Sequence, residues 1–509
     1  MTDELVISEK PVELAAIAAV ARGALAVRLS DDPEWTARIA RGRQFLEAAA
    51  ARGQGIYGVT TGVGRTSWRR LAAAESALQV NVIRMHGCGV GPLLSEEEAR
   101  GVMCARLVSL AKGYSGVRLE LLESLARLIN SGLAPAIPSL GSVGASGDLT
   151  PLAYVGALLI GEGEALRDGV RIPGAEALRA AGLAPFALAA KEGLAVMNGT
   201  SVMSALGVLA ALRARRVIEL GEHACALVLQ LLAGRAQAFH PTIHRVKPHA
   251  GQIASARHIL ACLDGHAAEA GNGKEAPKRE IQDRYSIRCS PHLLGAARDA
   301  LAWAEQVLAT EVNGVSDNPL VDPDTGEILN GGNFYGGHVA LAMDLLKVAF
   351  ATAANLFDRQ FALLVGDASH DYPETLLPDE WLPSTERGLH HGLKALQITV
   401  SALAALASQR SASDAVHSRQ TECGNQDIVS MGTNAALNAR AVVELAEQVL
   451  AAWLIALSQT AAIKGERVLS PQSRELVERV RAIVPVVRAD RPLDKELARL
   501  VTELVRGKN

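Results

Sequence analysis

Residues 141–154 read GSVGASGDLTPLAY, and this stretch fixes how the rest of the chain is read. Physically it is a tight loop of small residues that opens a helix. Thr150 is a good N-cap, Pro151 suits the first helical position, and the residues from Leu152 onward are apolar at helical spacing. On composition alone it is a glycine turn before a helix.

The 509 residues are 49% hydrophobic but only 4% aromatic, so the apolar mass is aliphatic and heavy in alanine, the strongest helix former. That balance argues against an all-β architecture, and the high hydrophobicity excludes intrinsic disorder. With 51 Lys and Arg against 54 Asp and Glu, the net charge is −3. No basic excess marks the chain for nucleic acid. The six cysteines are scattered without CxxC pairing, which speaks for buried thiols in a reducing compartment rather than disulfides or zinc. Met1-Thr2-Asp3-Glu4-Leu5 is acidic where a signal peptide is basic, and no run reaches the ~18 uninterrupted apolar residues of a membrane span. The expectation is a soluble cytoplasmic protein without membrane or nucleic-acid partners.

Glycine chemistry concentrates in the first part, as in 53–64, GQGIYGVTTGVG. Farther on, Val339–Leu364, Leu389–Ser408 and Ala435–Ile463 read as long helices, apolar nearly all round. Such helices must lie inside a bundle or a subunit interface, and the thin polar face favours burial between subunits over a bundle completed within one chain. The expected fold is therefore mostly α. An N-terminal helical and loop domain, 1–205, precedes a long-helix bundle with C-terminal helices, 206–509. Asp264–Glu280 and His370–Glu386 read as loops, and Leu493–Val505 as a surface helix.

Several motifs fail on spacing. Gly141–Gly147 is G-x-x-G-x-x-G, not the dinucleotide fingerprint, and Asp148 stands beyond it rather than completing G-x-S-x-G. Gly273-Lys274 lacks the earlier glycine and following Ser/Thr of a phosphate loop. His240 and His244 are four apart, but Pro241 follows the first and no glutamate lies between, so they read as loop or cap histidines. No metal and no nucleotide is expected.

The wider pattern is different. Around Ala145-Ser146-Gly147, the chain from about Val27 to Ala462 resembles the aromatic amino-acid ammonia-lyases: histidine, tyrosine and phenylalanine ammonia-lyases and the related aminomutases. The resemblance rests on Tyr57-Gly-Val-Thr-Thr-Gly62, Met197-Asn198-Gly-Thr200, Gln282-Asp-Arg-Tyr285-Ser-Ile-Arg288-Cys-Ser-Pro291, Asp317-Asn318-Pro319-Leu320, Gly332-Asn333-Phe334 and Asn425-Gln426-Asp427-Ile-Val-Ser-Met431, in the family's order. It implies that Ala145, Ser146 and Gly147 cyclise into a 4-methylidene-imidazol-5-one prosthetic group. It also implies Tyr57 as the catalytic base, Asn198 beside the prosthetic group and substrate, Tyr285 as a second catalytic tyrosine and Arg288 as the carboxylate grip. Asn318, Phe334 and Gln426 are expected at the substrate, and the assembly as a homotetramer whose sites combine residues of three subunits.

These residue types suit the chemistry. Gly147 lets the backbone compress, and Ser146 carries a β-hydroxyl that can leave. Eliminating ammonia requires an electrophile to convert a poor leaving group and a base for a weakly acidic proton. A tyrosine serves as that base only if its pKa falls from about 10. Arginine can grip a carboxylate through two parallel hydrogen bonds.

For the ring, His86 falls at the family's selectivity position, where the resemblance links histidine to tyrosine as substrate; an imidazole can hydrogen-bond a phenol. Gly87 is smaller than the usual neighbour and leaves room for phenylalanine or a dihydroxylated ring. Histidine ammonia-lyases also carry histidine there, but they place a glutamate after Asn-Phe-His-Gly and a Gln-Glu-Asp-His run later. Here the sequence reads Asn333-Phe334-Tyr335-Gly336-Gly337 and Asn425-Gln426-Asp427-Ile428, and His292 replaces a common glutamine. The expected activity is conversion of L-tyrosine to trans-4-hydroxycinnamate and ammonia, with phenylalanine as a second substrate. The alternatives are a histidine ammonia-lyase, a tyrosine aminomutase and, from a different class, a helical scaffold with an intact Ser146.

Overall fold

A computed structural model describes residues 4–71, 76–264, 281–365 and 372–507. Of the expected loops, 265–280 and 370–371 lie outside these residues. The chain is mostly helical, and its strands are two to four residues long, paired in twos and threes. Glu4–Ile7 pairs in parallel with Ala26–Leu29, and the other pairings are antiparallel.

Two of the long helices follow the periodicity closely, Gly337–Val365 and Gly432–Lys464, while the third, Lys394–Gln409, starts five residues after the expected Leu389, behind a turn; Ser201–Leu231 and Ser290–Asn313 join them in the chain order. Gly337–Val365 and Gly432–Lys464 are long and apolar enough to cross a membrane by length and composition, yet most of each is buried within the chain. The C-terminal segment is Asp494–Leu500 continued by a wider turn, Val501–Val505; it buries Leu500, Val501, Leu504 and Val505 and exposes Asp494, Lys495, Ala498, Arg499 and Thr502, as a surface helix does.

Compactness divides the chain into two units. The first comprises 1–210, 304–344 and 413–440; the second comprises 211–303, 345–412 and 441–509. These units are discontinuous in sequence, where the sequence reading has one break after residue 205. The boundaries at 210, 303, 344 and 440 fall inside helices, and a helix carries no local signal where its packing neighbours change.

In the first unit, Glu96–Leu110 starts with a reciprocal capping box: the Ser95 hydroxyl accepts from Glu98 N–H, and the Glu98 carboxylate accepts from Ser95 N–H. From Gly101 to Leu110 every residue of this helix is buried. It packs against Leu14–Ala21 and Leu119–Asn130, the latter burying Leu121, Leu122, Leu125, Leu128 and Ile129 on one face. In the second unit, Gly221 permits a close approach, since a Cβ there would lie 2.4 Å from the Phe357 ring. The buried Glu222 accepts from Arg298 at 2.5–2.6 Å and pairs with His258 at 2.5 Å.

Candidate active site

The glycine-rich loop ends at a helix, Leu149–Leu159, but its cap is Asp148 rather than Thr150. Asp148 makes no cap bond to that helix because its carboxylate is engaged elsewhere. One oxygen accepts the Val202 and Met203 N–H groups at 2.9 and 3.0 Å, in the first turn of Ser201–Leu231, and the other accepts from the Thr433 hydroxyl. Thr150 and Pro151 fall in the first helical turn instead. Asp148 is fully buried, and burial pushes its carboxyl up to about 6 against the pull of those three donors.

The loop itself is tightly wound. Ser146 adopts φ +50° between Gly144 at +79° and Gly147 at +75°, a left-handed course that costs a residue with a Cβ. Gly147 meets Gly199 as an isolated parallel bridge, and a Cβ on Gly147 would lie 2.2 Å from the Gly199 carbonyl oxygen. That oxygen also accepts the Asp148 N–H at 2.7 Å. The close approach therefore needs glycine at 147.

A cavity of about 560 Å3 opens over this loop, lined by Ala145 and Ser146 together with Tyr57, Asn318, Phe334 and Gln426. Its size suits a single amino acid. Segments far apart in sequence thus converge on the triplet. Tyr57 is half-buried, and its hydroxyl accepts the Gly64 N–H at 2.8 Å. Asn198 is buried and does not line the cavity; its amide donates to the Asn318 carbonyl at 3.1 Å, while its Oδ1 has no partner among the described residues. Asn318 Oδ1 accepts from Gly331 N–H at 2.9 Å, and Gln426 Oε1 accepts the Thr421 hydroxyl at 2.6 Å. Tyr335, a departure from the family pattern, also lines the cavity.

Other expected residues lie elsewhere. His86 and Gly87 do not line this cavity; the His86 ring holds the Val82 carbonyl at 2.8 Å through Nδ1. Tyr285 and Arg288 belong to the second unit, on a short helix where the guanidinium stands 4.5 Å over the tyrosine ring. Tyr285 is 71% exposed. His292 is half-buried beside His244, their ring centroids 5.4 Å apart, and burial pulls both imidazoles below the usual range. The His244 ring is held by Gln252 and the Ala238 carbonyl, and His240 caps the short helix Pro241–Arg245 by accepting the Thr242 N–H at 3.2 Å.

The Tyr57 phenol stands above its ordinary range, where a base needs it lowered. Burial raises it, the Gly64 N–H lowers it, and the Glu422 carboxylate raises it again. Among the described residues no cation offsets the two raising influences. Glu422 escaped the sequence reading, as did Asp427, which lines the cavity. Asp427 lay inside a quoted motif; nothing local marks Glu422, which reaches the tyrosine loop by accepting the Arg65 N–H at 2.7 Å.

The triplet has the features that the methylidene-imidazolone requires: a turn already wound, a glycine nitrogen on a backbone pressed against Gly199, and the unpartnered Asn198 oxygen close by. Its residues fit that group.

The fold and motifs have known counterparts. Residues 12–482 match the family model described as aromatic amino acid lyase. The chain is 39% identical to a histidine ammonia-lyase of Gloeobacter violaceus, over the whole of this chain and 97% of the relative. It superposes on a tyrosine aminomutase from Streptomyces globisporus with a TM-score of 0.92 at 35% identity, covering 99% of this chain and 97% of the other. A histidine ammonia-lyase from Trypanosoma cruzi gives 0.89 at 30% identity, covering 99% and 93%. The chain, with its loop, its cavity and its buried helices, belongs to the aromatic amino acid lyase family.

Proposed function

We propose that the protein eliminates ammonia from an aromatic L-amino acid at a prosthetic group made from Ala145, Ser146 and Gly147, with L-histidine as substrate and urocanate as product. The observation that carries the reaction class is the left-handed Ser146–Gly147 turn pressed on Gly199 at the floor of an amino-acid-sized cavity. The choice of histidine rests on the relatives, which bear that name at 39–40% identity. The cavity within one chain adds nothing to tyrosine, the expectation from His86, since that side chain, with its Nδ1 on the Val82 carbonyl, is not among the lining residues. A specific observation keeps tyrosine as the second reading: Gly337 and Gln426 stand where the two imidazole-reading glutamates of histidine ammonia-lyases are expected.

When formed, the prosthetic group supplies an electrophilic carbon for the substrate amine. The chain's own residues do the rest. Tyr57 takes the β-proton on its phenolate oxygen, and the Gly64 N–H steadies the charge there. Asn198 Oδ1, without a partner among the described residues, accepts from the substrate side, while Phe334 packs the ring and Asn318 and Gln426 line the polar wall. Arg288 grips the α-carboxylate, and Tyr285 orients beside it, each in the site of a neighbouring copy. That arrangement makes the active form a homotetramer with shared sites, in keeping with an exposed Tyr285 and with Leu341, Leu345 and Val348 exposed along one helix face.

The test is an intact mass followed by parallel incubation with histidine, tyrosine and phenylalanine, reading each unsaturated acid by absorbance. A chain two waters lighter than encoded is expected, with histidine turned over fastest. An unmodified mass removes the lyase reading and leaves the scaffold. A clear preference for tyrosine reverses the choice of substrate, and a β-amino acid product makes the enzyme an aminomutase. Ser146→Ala is expected to keep the encoded mass, less its own oxygen, and to lose at least about a thousandfold in kcat while still assembling.

A further inference from the structure

Behind the Ala145–Gly147 loop lies a buried cation that the elimination chemistry does not use. Arg106, in the Glu96–Leu110 helix, has no solvent exposure. Its Nη1 donates to the Ser316 carbonyl at 2.8 Å, but Nε and Nη2 have no hydrogen-bond partner among the described residues. Asp148 and Asp317 supply opposing charge at longer range, and Asp317 is already bound by Lys191 at 2.7 and 2.8 Å. A buried guanidinium with two idle nitrogens is costly, so an apolar side chain would serve the helix better. The position calls for another explanation.

What Arg106 touches provides one. A Cβ on Gly199 would lie 2.2 Å from Arg106 Nη1 and 2.7 Å from the Ser316 carbonyl oxygen. On the opposite side, a Cβ on Gly147 would lie 2.2 Å from the Gly199 oxygen. Arg106, Gly199 and Gly147 are therefore stacked with no room for a methyl group at either contact.

We propose that Arg106 is a positioning residue for formation of the prosthetic group: anchored at Ser316, it backs Gly199, which keeps Gly147 compressed in the turn that ring closure requires. This rests on the reading of the triplet as the precursor. In the step assisted, the Gly147 nitrogen bonds the Ala145 carbonyl carbon. One water leaves with that carbonyl oxygen and the hydrogens of the Gly147 and Ser146 nitrogens. A second leaves as the Ser146 hydroxyl with the Ser146 α-hydrogen, giving the exocyclic methylidene. No oxidant or other reactant enters.

The experiment compares the dehydrated fraction, by intact mass, with the folded fraction, by circular dichroism, in purified wild type, Arg106→Met and Arg106→Lys. Positioning requires folded protein that keeps its two waters, with dehydration lowered at least about tenfold in Arg106→Met. A purely structural role lowers yield but leaves every folded molecule dehydrated. Should Arg106→Met not fold, Arg106→Lys decides, since it keeps the charge facing Asp148 and Asp317 but not the Nη1 that abuts Gly199. Folded, undehydrated Arg106→Lys supports the proposal. Full dehydration of the folded fraction in either variant, however small that fraction, overturns it. If wild type itself keeps both waters, the lyase reading fails first, which separates the two failures.

Discussion

At Tyr57 the structure and the required chemistry pull in opposite directions. A base must be ionised to accept a proton, yet burial and the Glu422 charge both hold the phenol above its usual range. Glu422 is the influence that one substitution can remove without emptying space. Glu422→Gln keeps an oxygen for the Arg65 N–H and deletes the charge. The rising limb of the kcat/KM–pH profile, which reports ionisation of the base in the free enzyme, is expected to move to lower pH. An unmoved limb would mean that Tyr57 is not the group titrating. At this scale the sequence made the chemistry legible because reactive residues sit in contiguous motifs: Tyr57, Ser146 and Phe334 were all placed at the cavity. Glu422 and Arg106 were illegible because they act through tertiary approach, across 357 residues for the Glu422–Arg65 bond and 210 for the Arg106–Ser316 bond.

At the level of elements, periodicity was a sound guide and capping was not. Val339–Leu364 and Ala435–Ile463 are extended by the structure only by a residue or a few at each end, since an apolar helical repeat persists through any long buried helix. Thr150 read as a cap by local rules, yet Asp148 takes that place and spends its carboxylate on the start of Ser201–Leu231. A local rule cannot see a second helix. This shared cap makes a pH-dependent claim. The Asp148 carboxyl is raised from 3.8 to about 6 in the folded chain, so the folded form holds its proton more tightly than the unfolded one. The resulting stabilisation is complete below about pH 4 and is lost as pH rises through about 6. Asp148→Asn removes that dependence, and it also sets an amide N–H2 or a single oxygen against donors that now share two. Thermal midpoints taken from pH 4 to 7 are expected to show the variant lower throughout, by an amount corresponding to about 1–3 kcal/mol. The gap should be widest at the acid end. A gap that stays constant from pH 4 to 7 would mean that the Asp148 carboxyl keeps its ordinary range in the folded chain, and one that widens toward pH 7 that folding depresses it.

For the whole molecule, the aliphatic excess and the division of the proposed catalytic residues between the two units share one explanation. Leu341, Leu345 and Val348 recur at helical spacing and stay exposed, while Tyr285 stands in solvent at the second unit. Burying such side chains is worth ~1.5–3 kcal/mol each, and placing carboxylates among them in a contact costs at least as much. Leu345→Glu with Val348→Glu is therefore expected to give smaller particles by light scattering, and to abolish turnover while leaving the two-water mass loss intact. The mass loss should survive because the triplet and everything packed on it belong to the first unit. Complementation tests the sharing itself. Tyr57→Phe and Arg288→Ala chains should each be inactive alone. If a site takes Tyr57 from one subunit and Arg288 from another, co-assembly at equal amounts restores both residues in about a quarter of the sites. If both come from the same chain, no mixture recovers activity, because every site then carries one lesion. Recovery toward a quarter of the wild-type rate, appearing only after subunits are unfolded and reassembled together, is the expected outcome; none would return the catalytic constellation to a single chain and leave the exposed helix face without this role.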